Sequence, residues 1–154
     1  MDNKNFKLTF KKVAISNGFE AAFNGWFKKS DECILALELM KSNFGNYYQL
    51  NIKIFVNGVF GRNHIVNKDM IKKEIGNIDR GEPKIFENAL NLEFPMDDTA
   101  REMELQALFH DFLVPFSEKA LTKHGIHELA EQGEIALLPA VKEELEKLEL
   151  SENR

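Results

Sequence analysis

The chain has 154 residues, 44% of them hydrophobic, with 13 Phe and a net charge of −5. That length and apolar content fit one globular domain burying roughly 70% of its unfolded surface and exclude a disordered tail. The single cysteine, Cys33, excludes an intramolecular disulfide and a cysteine metal cluster. No run approaches the roughly 20 apolar residues of a membrane span, and the charged first dozen residues lack the apolar stretch of a secretory leader, so a cytoplasmic location is expected.

Residues 3–16 read as a helix, because Phe6, Phe10, Val13 and Ala14 form one apolar stripe at helical spacing and Gly18 lies just beyond it. Two hairpins follow. Asn24-Gly25 is a strong two-residue turn signal and sets Phe23 against Trp26, Ala22 against Phe27 and Glu20 against Lys29. In the second hairpin, pairing Ser42 with Gly45 puts Leu39, Leu37, Leu35 and Cys33 opposite Tyr48, Leu50, Ile52 and Ile54. The other face then pairs Met40 with Tyr47, Glu38 with Gln49, Ala36 with Asn51 and Ile34 with Lys53. Period-two alternation makes the first face core, with Leu35, Leu37, Leu39, Leu50, Ile52 and Ile54 inside, and leaves the second at least partly wet.

Between Val56 and Glu82 the signals are sparse: Asn57-Gly58 marks a turn, and Asn67 caps a short helix through Ile75 closed by Gly76. Residues 85–94 alternate, with Phe86, Leu90, Leu92 and Phe94 on one side, and read as a fifth strand ended by Pro95. The last third is helical. Thr99 and Glu102 form a capping box beside Asp97-Asp98, and Leu105, Leu108, Phe109, Phe112 and Phe116 make a buried stripe with a kink or break expected at Pro115. Gly125 and Gly133 bracket a short helix containing Leu129. Pro139 opens the final helix, with Val141, Leu145 and Leu148 inward and a Glu143/Lys147 pair outward. The expected fold is a single α+β domain over 1–154, core about 5–148: an antiparallel sheet of about five strands, with the N-terminal helix and the C-terminal helices on one face.

Charge is unevenly distributed. Met1–Lys73 carries 12 Lys and Arg against 6 Asp and Glu, whereas Glu74–Arg154 carries 8 against 19. A solvated acidic helical half explains this without a partner; a basic protein partner drawn to that half is the sharper reading. No nucleic-acid partner is expected, because no basic run exceeds Lys11-Lys12 or Lys72-Lys73 and no recognition motif is present. No membrane partner is expected either.

The residues Gly18-Phe19, Trp26-Phe27-Lys28-Lys29, Met40-Lys41-Ser42-Asn43-Phe44-Gly45 and the strand Tyr47–Ile54 resemble a bacterial family of unknown function, domain-of-unknown-function family 4304. Pro115-Phe116 followed by Glu118-Lys119 is similar too, and the likeness spans most of residues 5–130. It implies a small α+β domain and brings no activity, cofactor or catalytic residue. One departure is that Lys53-Ile54-Phe55 continues a strand that in the family often runs into a glycine.

Chemistry-bearing patterns are few. His124 and His127, with Glu128 and Glu131 nearby, have zinc-ligand residue types, but Gly125 argues for a helix end that splays them, so no metal is assigned. Cys33 falls on the core register, where a thiol packs as a small hydrophobe. His110 and Asp111 are sequence neighbours pointing about 100° apart and are not expected to act as a dyad. There is no nucleophile elbow, phosphate loop or metalloprotease motif, and no cofactor is assigned. The strongest candidate site is the open sheet face, Met40, Tyr47, Gln49, Asn51 and Lys53 with Trp26 beside it, which mixes aromatic, adaptable and hydrogen-bonding groups. The expected function is therefore a non-catalytic protein-binding domain, of which an immunity or inhibitor protein is one concrete form. The alternative is an enzyme or small-ligand binder with a pocket near Lys53, Arg62 and His64, and a homodimer is a further alternative.

Overall fold

A computed structural model describes residues 1–152, with the side chains of residues 1–147. Helix α1 spans Asn3–Ser16, and its Phe6, Phe10, Val13 and Ala14 are all buried. Asp2 caps it by accepting from the Asn5 N–H at 2.7 Å. Five antiparallel strands follow in sequence order across one sheet: β1 Glu20–Ala22, β2 Gly25–Lys29, β3 Cys33–Lys41, β4 Tyr48–Val56 and β5 Ile78–Arg80. Helices α2 Lys68–Lys72, α3 Asp98–Ala107, α4 Val114–Ala120, α5 Lys123–Glu131 and α6 Pro139–Glu152 complete the α+β fold. Among the described residues, no helix is long and apolar enough to cross a membrane.

Both hairpins differ from the sequence reading by two residues in register. In the first, Ala22 pairs with Gly25 and Ala21 with Trp26, so the turn residues are Phe23 and Asn24, both at positive φ (52° and 61°). Gly25 is a strand residue. It is small for reasons of space, since a Cβ there would collide with Ile71 of α2 and come within 2.8 Å of the Leu37 carbonyl. In the second hairpin Lys41 pairs with Tyr48 and Leu35 with Ile54, because the loop closes with the Ser42 N–H donating to the Tyr47 carbonyl rather than as a tight four-residue turn. A two-residue slip keeps every side chain on its face, so Leu35, Leu37, Leu50, Ile52 and Ile54 are core as expected, and Leu39 is half-buried. Strand β4 continues through Phe55 to Val56.

The inner face of the sheet packs against α1 and the C-terminal helices. Phe10 meets Trp26 and Phe109 at ring-centroid distances of 4.7 and 5.3 Å, and Phe19 meets Phe109 at 5.4 Å. The outer face has a smaller core of its own: Ile34, Ala36 and Phe55 bury Met70 and Ile71 of α2, with Phe27 and Val66 at its margin. That cover divides the face expected to be at least partly wet: its Ile34, Ala36 and Lys53 are buried and its Met40 end is exposed.

Residues 85–94 are not a strand. Lys84–Leu90 forms a 3₁₀-helix, and the fifth strand is Ile78–Arg80. The physical reason is Arg101, a fully enclosed guanidinium on α3. Its Nη1 donates to the carbonyls of Asn88, Ala89 and Asn91 at 3.0–3.1 Å, and its Nη2 to that of Phe94 at 3.0 Å. Four carbonyls turned toward one side chain are four carbonyls lost to a strand ladder.

Other boundaries also shift. Asn67 caps α2 through the Met70 N–H, but the helix ends at Lys72 rather than Ile75. Asp97, not Thr99, caps α3, accepting from the Ala100 N–H at 2.7 Å. Ahead of Pro115 the chain is π-wound over Leu108–Leu113, which absorbs the missing amide without breaking the run of helix. Gly125 lies inside α5, capped by Thr122, where a Cβ would strike the Lys119 carbonyl. On α6, Val141 and Leu145 are buried, Leu148 lies outside the described side chains, and Lys147 pairs with Glu144 at 3.4 Å rather than with Glu143.

Candidate functional site

The residues expected on the open face divide into three groups. Trp26 lies on the opposite face, in the main core, because the register places it beside Leu37. Lys53 is buried under α2: its Nζ donates to the Ile71 carbonyl at 2.9 Å and lies 3.4 Å from Glu38 Oε1. A lysine so placed anchors the cover of the outer face and is not offered to a partner. Met40, Gln49 and Asn51 remain accessible, and Tyr47 is half-buried, its backbone bridging to Asn91.

These accessible residues gather at the end of the sheet that carries the β1–β2 and β3–β4 turns. Met40, Gln49, Leu50 and Asn51 form one wall of an open groove of about 620 Å³, and Gly81, Glu82, Lys84 and Glu87 form the other. Glu82 is positioned by the sheet itself, accepting from the Leu50 N–H at 3.0 Å just beyond the last residue of β5. Large apolar side chains are left in solvent on the chain that forms these walls: Met40 is 48% exposed, Phe44 in the β3–β4 turn 94%, and Ile85, next to Lys84, 79%. The sequence reading missed the second wall because Gly81 and Glu82 end the stretch where signals are sparse and Glu87 was placed on a strand. The Gly81-Glu82-Pro83 turn signal was the available hint that the chain doubles back there.

Arg62 and His64 are not joined by Lys53. Arg62 is exposed and pairs with Glu74 at 3.4 Å. His64 is half-buried against Phe55, with ring centroids 5.2 Å apart, and its backbone N–H donates to Asn57 Oδ1 at 2.8 Å. Burial holds its imidazole below the ordinary value, the Arg62 charge adding to the effect and Glu74 opposing it. A neutral, packed imidazole belongs to the cover of the outer face more than to a pocket.

The remaining candidates are tied up individually. His124 and His127 both lie on α5, so His124 is in a first turn and not in the last turn of a preceding helix. They face separate i+4 carboxylates, Glu128 at 3.6 Å and Glu131 at 3.7 Å. His110 and Asp111 do meet, Nδ1 to Oδ1 at 2.8 Å, within the π-wound turn, and both are exposed, so the contact is a solvent-facing pair. The Cys33 thiol is fully buried and is pushed up to about 12, by burial first and by the Glu32 charge second, so it stays protonated.

No protein-family model matches the chain, and no curated protein or solved structure matches it significantly.

Proposed function

We propose that the chain is a non-catalytic protein-binding domain that engages its partner with the turn end of its sheet. The observation that carries this reading is the open groove beside the β3 tip. There half-exposed Met40 stands with Gln49 and Asn51 opposite Glu82, Lys84 and Glu87, and the adjoining chain on each side carries an exposed apolar side chain, Phe44 in the β3–β4 turn and Ile85 next to Lys84. Apolar anchors mixed with hydrogen-bonding groups suit contact between proteins, and a wide groove with no activated nucleophile does not suit chemistry. An immunity or inhibitor role, in which a largely acidic chain blocks a basic partner, is its most concrete form, supported by the two groove carboxylates and the acidic second half. The resemblance to the family of unknown function belongs to the same proposal and brings no activity with it. An enzyme or ligand pocket at Lys53, Arg62 and His64 has less support, since each of these groups is already engaged.

The test is affinity capture with the purified chain and with Met40→Asp and Phe44→Asp variants. A protein retained by the wild type, released by salt and lost from both variants supports the proposal. Equal retention by all three would overturn it. Light scattering separates a second copy of the chain from a different protein as the occupant.

A further inference from the structure

On the other side of the β3 tip lies a second groove, also about 620 Å³, between α1 and the β1–β2 turn. Its character is different. Lys4, Lys7, Lys11 and Lys72 line it together with Leu8, Ala21, Ala22, Phe23, Asn24, Gly25, Trp26 and Leu39, and no carboxylate does. Lys4, Lys7 and Lys11 recur at i, i+3 and i+7, so they form one row about 10 Å long beside the buried stripe of α1. All three are exposed and none has an ion pair or hydrogen bond among the described residues. Lys72 is engaged, donating to the Asn24 carbonyl at 3.2 Å and lying 3.9 Å from Glu38.

The apolar part of the lining is defined by two aromatic residues. Trp26 reaches the groove from the main core, 6% exposed and packed on Phe10, with its Nε1–H enclosed and without an acceptor among the described residues. At the groove lip Phe23 holds a left-handed backbone, φ 52°, which an aromatic residue adopts only under strain, and it is half exposed.

We infer that this groove binds an acidic peptide segment, its carboxylates along the Lys4, Lys7, Lys11 row and an apolar side chain against Leu8, Ala22 and Phe23. The choice of a peptide rests on the protein-binding reading above; the anionic character of the occupant does not. Two features favour a peptide over other anions. The charges form a line, matching carboxylates spaced along an extended chain at about 6.6 Å per two residues, and no glycine-rich nest of amides converges as a compact phosphate would require. Small alanines and one exposed aromatic make the floor, and a strand of nucleic acid would want a series of stacking rings.

Trp26 is the single tryptophan of the chain, so its emission reports on the groove directly. The probe is a blocked pentapeptide alternating Glu and Leu, titrated into the purified protein, with its Lys-for-Glu counterpart, inorganic triphosphate and a thymidine oligonucleotide as parallel arms. The inference predicts a saturable change in Trp26 emission with the Glu peptide that weakens as salt rises. The combined variant Lys4→Gln, Lys7→Gln, Lys11→Gln is expected to weaken binding by about tenfold with unchanged circular dichroism. Reversing the three lysines to Glu is expected to transfer binding to the Lys peptide. Absence of a saturable signal, or unchanged affinity in the Gln variant, overturns the inference. Tighter binding of triphosphate or oligonucleotide overturns the peptide assignment. None of these outcomes touches the Met40 and Phe44 test, so this groove and the protein-binding reading can fail separately.

Discussion

The two faces of the sheet are built by the same strands and closed by very different amounts of protein. The inner face is sealed by α1 and the C-terminal helices, with Phe10, Trp26, Phe19 and Phe109 interlocked between them. The outer face is closed by a five-residue helix and its flanking loop, held by Met70, Ile71 and the tether from Lys53 to the Ile71 carbonyl. A helix that short has almost no stability of its own. The inner face is therefore expected to define the fold, and the outer cover to behave as a local unit that opens while the fold persists.

Substitutions can break this contrast. Leu35→Ala, at the centre of the inner face, is expected to lose about 4 kcal/mol in one cooperative urea transition. Next comes Arg101→Met, expected to lose about 3 kcal/mol by stranding four carbonyls of residues 88–94 on the inner side. Ile71→Ala is expected to lose about 2 kcal/mol and, unlike the first two, to raise amide exchange over residues 62–76 while β3 and β4 stay protected. If its exchange rises uniformly across the sheet, the outer cover is no separate unit. Gly25→Ala probes the same seam from the strand side. It forces Ile71 outward, with a thermal destabilisation of about 1–2 kcal/mol that truncating Ile71 in the same chain should partly relieve.

The smallest effect is one of pH. The His64 imidazole sits below its unfolded value, so the unfolded chain takes up the proton first as pH falls. The contribution of His64 is present above about pH 6.5 and is lost as pH falls through its depressed value. Exchange over residues 62–76 should thus quicken in mild acid, and His64→Phe should remove that dependence while keeping the contact with Phe55. A pH response unchanged in that variant would place its origin elsewhere.

Much of the inner architecture was legible in the residues. Phe6, Phe10, Val13 and Ala14 identify α1 from end to end, and the alternation from Leu35 to Ile54 identifies the core face even though both hairpin registers slip by two. What stayed hidden was set by contacts distant in sequence. Gly25 reads as a turn residue until Ile71 is seen against it, and residues 85–94 read as a strand until Arg101 claims their carbonyls. Half of the site was visible as Met40, Gln49 and Asn51, and its far wall was not, because that wall is a loop leading into a 3₁₀-helix, and Phe86, Leu90, Leu92 and Phe94 imitate the alternation of a strand. The lysine row is implicit in the helical reading of residues 3–16, but that Lys4, Lys7 and Lys11 line a groove depends on the β1–β2 turn folding beside them.

The borders of the sheet bear on how anything can attach to it. Strands β1 and β5, at its two edges, are three residues each. A foreign strand zipping onto either border would gain only about two or three backbone hydrogen bonds, too few to repay the ordering of a chain. Growth of the sheet from one molecule into the next therefore finds little purchase on β1 or β5. That shifts the weight of recognition onto side chains, and so onto the particular residues that face the two grooves.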